Sequence, residues 1–591
     1  MPASRFDDLR PTRRRSFALG PVRETLVATG VHEVRAVVDA AAARVHGGSW
    51  VAGYVAYDAA PAFDSRLRVP GRPAPAFAHL PPAWFAVSDA RVPAPDLPSS
   101  GHTVGPWRPT VGRDRYREDV EVIRRLIEAG ATYQVNHTFR LDADLTGSVE
   151  SFYRDLTRSQ QGGYGALLDT GRWVIASASP ELFFEWRLGS VTMRPMKGTI
   201  RRGVDPDSDL ERRRTLESSE KDRAENLMIV DMVRNDLGRI CEVGSIDVPA
   251  VFATEKYDTV WQLTSTVTGR PRAGVSLGDA FAALFPSASV TGAPKVAAMD
   301  VIARLEDEPR GVYCGAVGYG GPGPEGPEWA FNVAIRTVLI DRERGLARYG
   351  TGGGVTWDST AAGEFEEAML KAAVLSLRTA DFALLETMRW TPGSGIRRLA
   401  GHLARLRRSA EHFDIPLDVE EVTARITACV SGAAAPRRVR LTVDREGRCH
   451  AVADQPPKPP AGPVVLALDG VPIERSDPLL YHKTTKRSVY EEAIARHPGA
   501  DDVILVNDDG EVTETSIANL LVRIGGRWFT PPVGAGCLPG VARASLVAAG
   551  DVEERPITVE ELLAAEVVER VNALRGRERC AIVTDAAARS R

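Results

Sequence analysis

Apolar residues recur on two rhythms along the chain, and each change of rhythm marks an element. From Tyr116 to Gly130, YREDVEVIRRLIEAG sets Val120, Ile123, Leu126 and Ile127 on one side of a 3.6-residue repeat and stops at glycine, which predicts an amphipathic helix. KDRAENLMIVDMVRNDLGRI (221–240) and AAGEFEEAMLKAAVLSLR (361–378) read the same way. WVIASASPELFFEW (173–186) and YGTGGGVTW (349–357) alternate or carry β-formers and read as strands. Proline and turn formers crowd 70–111, predicting an irregular connection. Strands and helices mix without strict βαβ alternation, so the fold class is α+β.

A second compositional unit follows the helix ending near Arg378. DFALLETMRW (381–390) is strand-like, and RRLAGHLARLRRSAEHFDIP is a helix stopped by Pro416. The proline-rich stretch DQPPKPPAGP (454–463) then divides this unit into a smaller and a larger lobe. The boundaries are 1–378 and 381–591. A chain of 591 residues exceeds one core, since single domains run to roughly 100–250 residues.

Charge and cysteine usage narrow the classes. A net charge of −4 gives no footprint for nucleic acid. The six cysteines lie far apart with no C-x-x-C pair, which fits a reducing compartment rather than a disulfide framework or zinc cluster. No apolar stretch of signal-peptide length follows Arg13-Arg14-Arg15, and no window approaches the ~20 apolar residues of a membrane span. The expectation is a cytoplasmic protein with no membrane or nucleic-acid partner.

Candidate chemistry begins at RPMKGTIRRG (194–203), where Lys197 stands among arginines. A guanidinium stays charged, whereas an amine can be pushed to its neutral, nucleophilic form. Asp222 and Glu225 stand three apart on one predicted helix, and Glu364 and Glu367 repeat the spacing on another, with Lys371 four residues later. Such pairs are either solvated acidic faces or a hard-cation site. GTGGGV (350–355) strips side chains from Gly352, Gly353 and Gly354, which suits either close approach to a ligand or a bulge. SVTGAPK supplies Thr291, and Arg336 interrupts the apolar run FNVAIRTVLI, where a charge needs an anionic partner.

In order, TYQVNHTFR, RPMKGT, DRAENLMIVDMVRNDLGRI, FPSASVTGAPKVAAMDVI, GVYCGAVGYGG, NVAIRTVLI, GTGGGVTWDS and EFEEAMLKA make roughly 45–378 resemble the chorismate-utilising enzymes. The resemblance implies antiparallel sheets flanked by helices. Within that family the block is similar to component I of the aminodeoxychorismate synthases, which carry lysine where anthranilate and isochorismate formers carry alanine. It implies that Lys197 attacks chorismate at C2 as hydroxide leaves C4, and that ammonia then enters at C4. Gln134 stands where water-adding relatives have a lysine base, which argues against water as nucleophile. By the same carry-over, Asp222, Glu225, Glu364 and Glu367 hold Mg²⁺ on the ring carboxylate, which Gly352, Gly353, Gly354 and Lys371 also face. Tyr313 and Arg336 take the enolpyruvyl carboxylate, with Thr291 nearby. Gln262 departs from the histidine of anthranilate-forming relatives and leaves the leaving-group chemistry open.

HLARLRRSA, HKTTKR, EVTETSIANL, LPGVAR and VNALRG make 381–578 resemble the fold-type IV pyridoxal-phosphate enzymes, with the aminodeoxychorismate lyases most similar. That implies a two-lobed α+β domain with Lys483 carrying pyridoxal 5'-phosphate and Glu514 on its pyridine nitrogen. Arg405 and the backbone N–H groups of Val541 and Ala542 take the phosphate, with Asn572 nearby. Lys486 is the rival for the cofactor lysine. Together the halves imply conversion of chorismate and ammonia to 4-aminobenzoate. No G-x-C-x-G amidotransferase motif is present, so ammonia comes from solution or from a separate glutamine amidotransferase subunit. The alternatives are an anthranilate synthase with a C-terminal aminotransferase, a synthase with an inactive lyase-like domain, and a non-catalytic chorismate-binding scaffold.

Overall fold

The computed structural model describes residues 4–10, 14–71, 79–257, 260–375 and 382–583. The chain forms two compact units, one of Met1–Arg201 with Arg213–Thr379 and one of Arg202–Arg212 with Ala380–Arg591. The sequence reading carries no hint that 202–212 belongs with the second unit.

Side-chain alternation explains how the first unit stacks. In the strand Trp173–Ser179, Trp173 and Ile175 join Tyr54, Trp84 and Leu168 in one cluster. Val174, Ala176 and Ala178 join Tyr116, Phe152 and Val301 in another. The strand Trp50–Val55 sends Ala52 and Tyr54 into the first cluster and Val51 and Val55 into a third, around Val34 and Phe281. An eleven-stranded sheet and a ten-stranded sheet thus pack face to face. Helices Arg113–Glu128, Val149–Gln160, Lys295–Leu305 and Ala361–Ala372 cover the outside of the first. Val34–His46, Glu220–Gly238 and Leu277–Leu284 cover the outside of the second.

The second unit has a four-stranded and an eight-stranded sheet. Helices Leu399–His412 and Val419–Cys429 close the core of the smaller one through Leu406, Ala410, Val422 and Ile426. In the larger one Val464–Leu468 runs parallel to Asp502–Val506 and to Gly576–Val583, while most other pairs are antiparallel. The α+β class holds in both units. Among the described residues no helix is long and apolar enough to cross a membrane.

Three expectations need correction. The run 173–186 is two strands, Trp173–Ser179 and Leu182–Arg187, in different sheets. Pro180 lies at the break and has no N–H to continue the ladder. FNVAIRTVLI is also broken, between Gly326–Val333 and Thr337–Asp341, and Arg336 sits in the crossing with a left-handed φ of 51°. The stretch read as irregular contains Ala83–Ser88, a fully buried strand whose apolar run AWFAVS was overshadowed by flanking prolines. The predicted helix end near Arg378 lies outside the described residues.

One buried ion network stitches the first unit together. Glu306 Oε1 accepts from Arg310 Nη2 at 2.7 Å and from the Thr138 N–H and hydroxyl at 2.9 and 2.8 Å. Its Oε2 accepts from Arg310 Nε at 3.0 Å and Arg140 Nη2 at 3.4 Å. Arg310 also donates to the Val290 and Asn136 carbonyls, and its guanidinium lies 4.4 Å from the Tyr57 ring centroid. Burial pushes the Glu306 carboxyl up, but Arg310, Arg140 and His137 outweigh it and bring it to about 2. A depressed carboxyl contributes stability above its unfolded pKa and loses it as pH falls through the folded one, here between ~4.3 and about 2. Glu306→Gln leaves Arg310 charged and buried with a weakened partner. Urea unfolding at pH 7 should show the first unit destabilised by about 3–5 kcal/mol, with the deficit shrinking below pH 4.

Candidate active sites

Lys197 owes its direction to a bulge. The strand Met196–Arg201 pairs Met196 with Thr264 but Thr199 with Gln262, so one strand spends an extra residue. Gly198 takes it up at φ 92°, a conformation that side chains oppose. Asn226, on helix Glu220–Gly238, donates to the Lys197 carbonyl at 3.3 Å and accepts from Ser265 at 2.6 Å. Gln262 donates to the Thr199 hydroxyl at 3.2 Å.

The neighbouring strand leaves room at the amine. A Cβ on Gly354 would stand 2.6 Å from Lys197 Nζ and 2.3 Å from Gln134 Nε2, and one on Gly353 would stand 2.6 Å from Glu364 Oε2. Bare backbone thus lets the ends of Lys197, Gln134 and Glu364 lie against this strand without moving aside. Gln134 is buried, and among the described residues both its amide atoms lack partners, an open donor and an open acceptor.

Glu181, which sequence reasoning missed, belongs to this cluster. It is buried, and burial pushes its carboxyl up to about 7 against the pull of Ser289, Lys197 and the Met196 N–H. Among the described residues its Oε1 has no partner. The available signal was an acid inside the apolar run SPELFFEW, which looked like strand. A carboxyl protonated near neutrality can give a proton.

The acidic pairs do not close into one cage. Lys371 Nζ takes Glu367 at 2.7 Å and the Gly352 carbonyl at 3.0 Å, and Ser359 donates to Glu364 Oε1 at 2.6 Å. Among the described residues no three His, Cys, Asp or Glu side chains gather as a metal site. Of the four carboxylates expected from sequence, Glu367 is paired with Lys371 and Glu364 accepts from Ser359. Glu225 and Glu364 are nonetheless raised by burial, with like charge from Glu367 adding to both and Asp222 adding to Glu225. Glu364 Oε2 is buried and has no partner among the described residues. These oxygens fit a hard divalent cation that takes its other ligands from water and substrate.

Arg336 donates to the Lys371 carbonyl and has no carboxylate among the described residues, so the anionic partner expected from sequence is not a side chain there. Tyr313 packs its ring on Gly350 under Arg140, 5.3 Å from the centroid. Thr291 is fully buried, and its hydroxyl donates to Ser287 O at 3.2 Å, so it shapes the turn instead of reaching out.

In the second unit a cavity of about 280 Å³ is lined by Arg405, Lys483, Lys486, Glu514, Val541 and Asn572. Burial and Arg405 push the Lys483 amine down to about 8. Its neighbour His482 is driven to about 4 by burial. That neutral ring donates through Nε2 to the Val204 carbonyl at 3.1 Å and accepts at Nδ1 from Ser409 at 2.9 Å. Glu514 is raised to about 7 by burial, although Tyr490 donates to Oε1 at 2.9 Å and Asn519 to Oε2 at 3.0 Å. Arg405 is held by Glu386 at 2.9 and 2.6 Å and reaches Pro539 O at 3.3 Å. Val541 and Ala542 open the helix Val541–Ala548, whose first N–H groups lack intrahelical acceptors. Asn572 Oδ1 accepts from the N–H groups of Leu574 and Arg575, a turn role that sequence reasoning did not assign. An amine of lowered pKa, an acid and an anion-accepting helix end around one cavity fit pyridoxal phosphate.

Residues 7–376 match the chorismate binding enzyme family model, and residues 383–579 match the amino-transferase class IV model. The chain is 43% identical over 311 residues to the aminodeoxychorismate synthase of Streptomyces griseus, covering 51% of this chain and 42% of that protein. It is 37% identical over 295 residues to aminodeoxychorismate synthase component 1 of Klebsiella aerogenes, covering 49% of this chain and 62% of that one. The chain thus spans less than two thirds of either relative. Anthranilate synthase component I from Streptococcus pneumoniae superposes with a TM-score of 0.50 at 26% identity, covering 64% of this chain and 90% of that one.

The Glu181 carboxyl should titrate near pH 7 in infrared difference spectra taken against Glu181→Gln. Removing the neighbouring cation in Lys197→Ala should move that titration to higher pH, because Lys197 favours the ionised form. An unmoved titration would separate the two side chains.

Proposed function

We propose, for a chain that belongs to the chorismate binding enzymes, that its first unit aminates chorismate to 4-amino-4-deoxychorismate and its second removes pyruvate to leave 4-aminobenzoate. The approach of Lys197 and Gln134 to bare backbone at Gly354 is the observation that carries the first half. The Lys197 amine attacks C2 of the ring, the two ring double bonds each shift one place, and the C4 hydroxyl departs. Glu181, protonated near neutrality, gives its proton so that the hydroxyl leaves as water. Ammonia then adds at C4, the double bonds shift back, and the lysine is expelled from C2. Two displacements replace one difficult one.

Arg336 and Tyr313 would take the enolpyruvyl carboxylate. Glu225, Glu364 and Glu367, with Asp222 behind them, would hold a magnesium ion that supplies positive charge to the ring carboxylate. Ammonia would come from a separate glutamine amidotransferase subunit. An anthranilate-forming reading is disfavoured by the amine at 197.

In the second unit, pyridoxal phosphate supplies an electron sink when bound. Lys483 would hold it covalently and then take the C4 proton of the substrate as the enolpyruvyl oxygen leaves C3. Glu514 would keep a proton on the pyridine nitrogen, and Arg405 with the N–H groups of Val541 and Ala542 would bind the phosphate. The lowered Lys483 pKa supports the choice of this lysine, since a proton acceptor must be free to accept.

Product analysis by mass spectrometry with chorismate, Mg²⁺, ammonium and pyridoxal phosphate tests both halves. Lys197→Ala should make no 4-amino-4-deoxychorismate, and Lys483→Ala should accumulate it without 4-aminobenzoate. Wild-type yields of 4-aminobenzoate from either variant would remove that lysine from the mechanism. Glu225→Gln should raise the magnesium concentration needed for half-maximal rate, and an unchanged titration would return that residue to an acidic surface role.

A further inference from the structure

Lys483 lies outside the helices and strands, between the short turn Pro478–Leu480 and the helix Ser488–Arg496, so its course must be fixed by other contacts. Downstream the backbone does this. The Lys483 carbonyl accepts from the Leu385 N–H at 2.8 Å, and the Thr485 N–H donates to the Ala383 carbonyl at 2.9 Å. Upstream the work falls to a side chain, His482.

The His482 ring is buried and gripped from two directions. Ser409 donates to Nδ1 at 2.9 Å, and Nε2 donates to the Val204 carbonyl at 3.1 Å. The rings of His412 and Phe413 pack on it at 4.4 and 4.8 Å between centroids. Ser409 and His412 share a face of the helix Leu399–His412 with Arg405. The helix that presents Arg405 to the cavity therefore also holds the neighbour of Lys483.

The opposite grip comes from residues 202–209, which belong to the second unit. Asp209 Oδ1 accepts from Arg202 Nε at 2.6 Å and from the Gly203 N–H at 3.0 Å. Arg202 Nη2 donates to the His412 carbonyl at 3.0 Å. A Cβ on Gly203 would stand 2.1 Å from the Asp209 nitrogen, so the loop closes over bare backbone. Val204 packs its side chain against the cluster of Leu480, Tyr481 and Tyr490. A buried ion pair that also engages backbone groups has few other arrangements, which holds the carbonyl at 204 in place.

We infer that His482 is a positioning residue for Lys483, and that the loop 202–209 is the wall against which it is set. Pinned between this loop and the helix bearing Arg405, His482 fixes where the backbone enters residue 483. It thereby fixes how far the amine stands from a cofactor whose phosphate Arg405 holds. A displacement of about 1 Å at such a point can cost roughly a hundredfold in rate. The inference rests on Lys483 carrying pyridoxal phosphate and goes beyond it, because it applies to whatever reaction follows.

The test offers two probes to the full chain freed of cofactor. Pyridoxal phosphate attaches to Lys483, which is followed by absorbance and fixed by borohydride. Deoxypyridoxine phosphate has the same ring and phosphate but no aldehyde, so it reports on the cavity without the lysine. His482→Ala should slow attachment about tenfold or more, yet bind the aldehyde-free probe within about twofold of wild type. His482→Gln, which restores a donor toward Val204, should recover most of the rate. Arg202→Gln should slow attachment by a smaller factor, although Arg202 does not line the cavity. An unchanged rate in His482→Ala overturns the inference, and an unchanged rate in Arg202→Gln alone removes the loop from it. Equal loss of both probes also overturns it, since general collapse of the unit would give that result. A wild type that binds both probes but yields no borohydride-fixed adduct at Lys483 sinks the cofactor assignment itself, and the inference with it.

Discussion

The pairing of Glu306 with Arg310 is the constraint on which the first unit turns. Four separate pieces of chain meet on it: the strand bearing Gln134, the turn at Val290, the end of the helix Lys295–Leu305 and the segment around Tyr57. A charge with no access to water tolerates few arrangements of its neighbours, because each must offer a dipole or an opposite charge. The strand that carries Gln134 is thereby held in one register against the glycine strand: Gly352, Gly353 and Gly354 face Thr138, His137 and Asn136. Precision at the lysine thus leans on an ion pair formed between other residues.

The two lysines proposed to work in this chain are prepared differently. Lys197 projects from a bulge among carboxyls whose protonation it depresses, Glu181 and Glu225 among them. Lys483 is itself the shifted group, lowered by burial and by Arg405. In the first cluster the acid is kept protonated by being enclosed. In the second the same cause makes the base give up its proton more readily than an ordinary lysine, and both follow from the cost of an ion in a low dielectric.

Much of this was legible in the sequence because it depends on local order. The helices carrying Asp222, Glu225, Glu364 and Glu367 follow from spacing alone, as does the bareness of 352–354. Glu181 was hidden because its meaning is its burial, and burial is set by strands far away in sequence. The partner of Glu364 was equally illegible: the i, i+4 pairing of Glu367 with Lys371 is visible in the string, but nothing there says that Ser359 donates to Glu364. The excursion of 202–212 into the second unit turns on long-range contacts such as His482 with Val204. Composition carries no trace of such contacts.

The bulge at Lys197–Gly198 makes the face that presents this lysine a matter of parity. A regular strand sends odd and even positions to opposite sides, so inserting or removing one residue exchanges every side chain beyond that point. The extra residue between Met196 and Thr199 is what lets an amine and an apolar anchor coexist on neighbouring positions while the rest of the strand keeps its pairing with 260–264. In such a frame, shortening the strand by one residue alters the site more than replacing a side chain does, because it reassigns which residues share the face of Lys197. Variation by insertion and variation by substitution therefore explore different enzymes from the same scaffold.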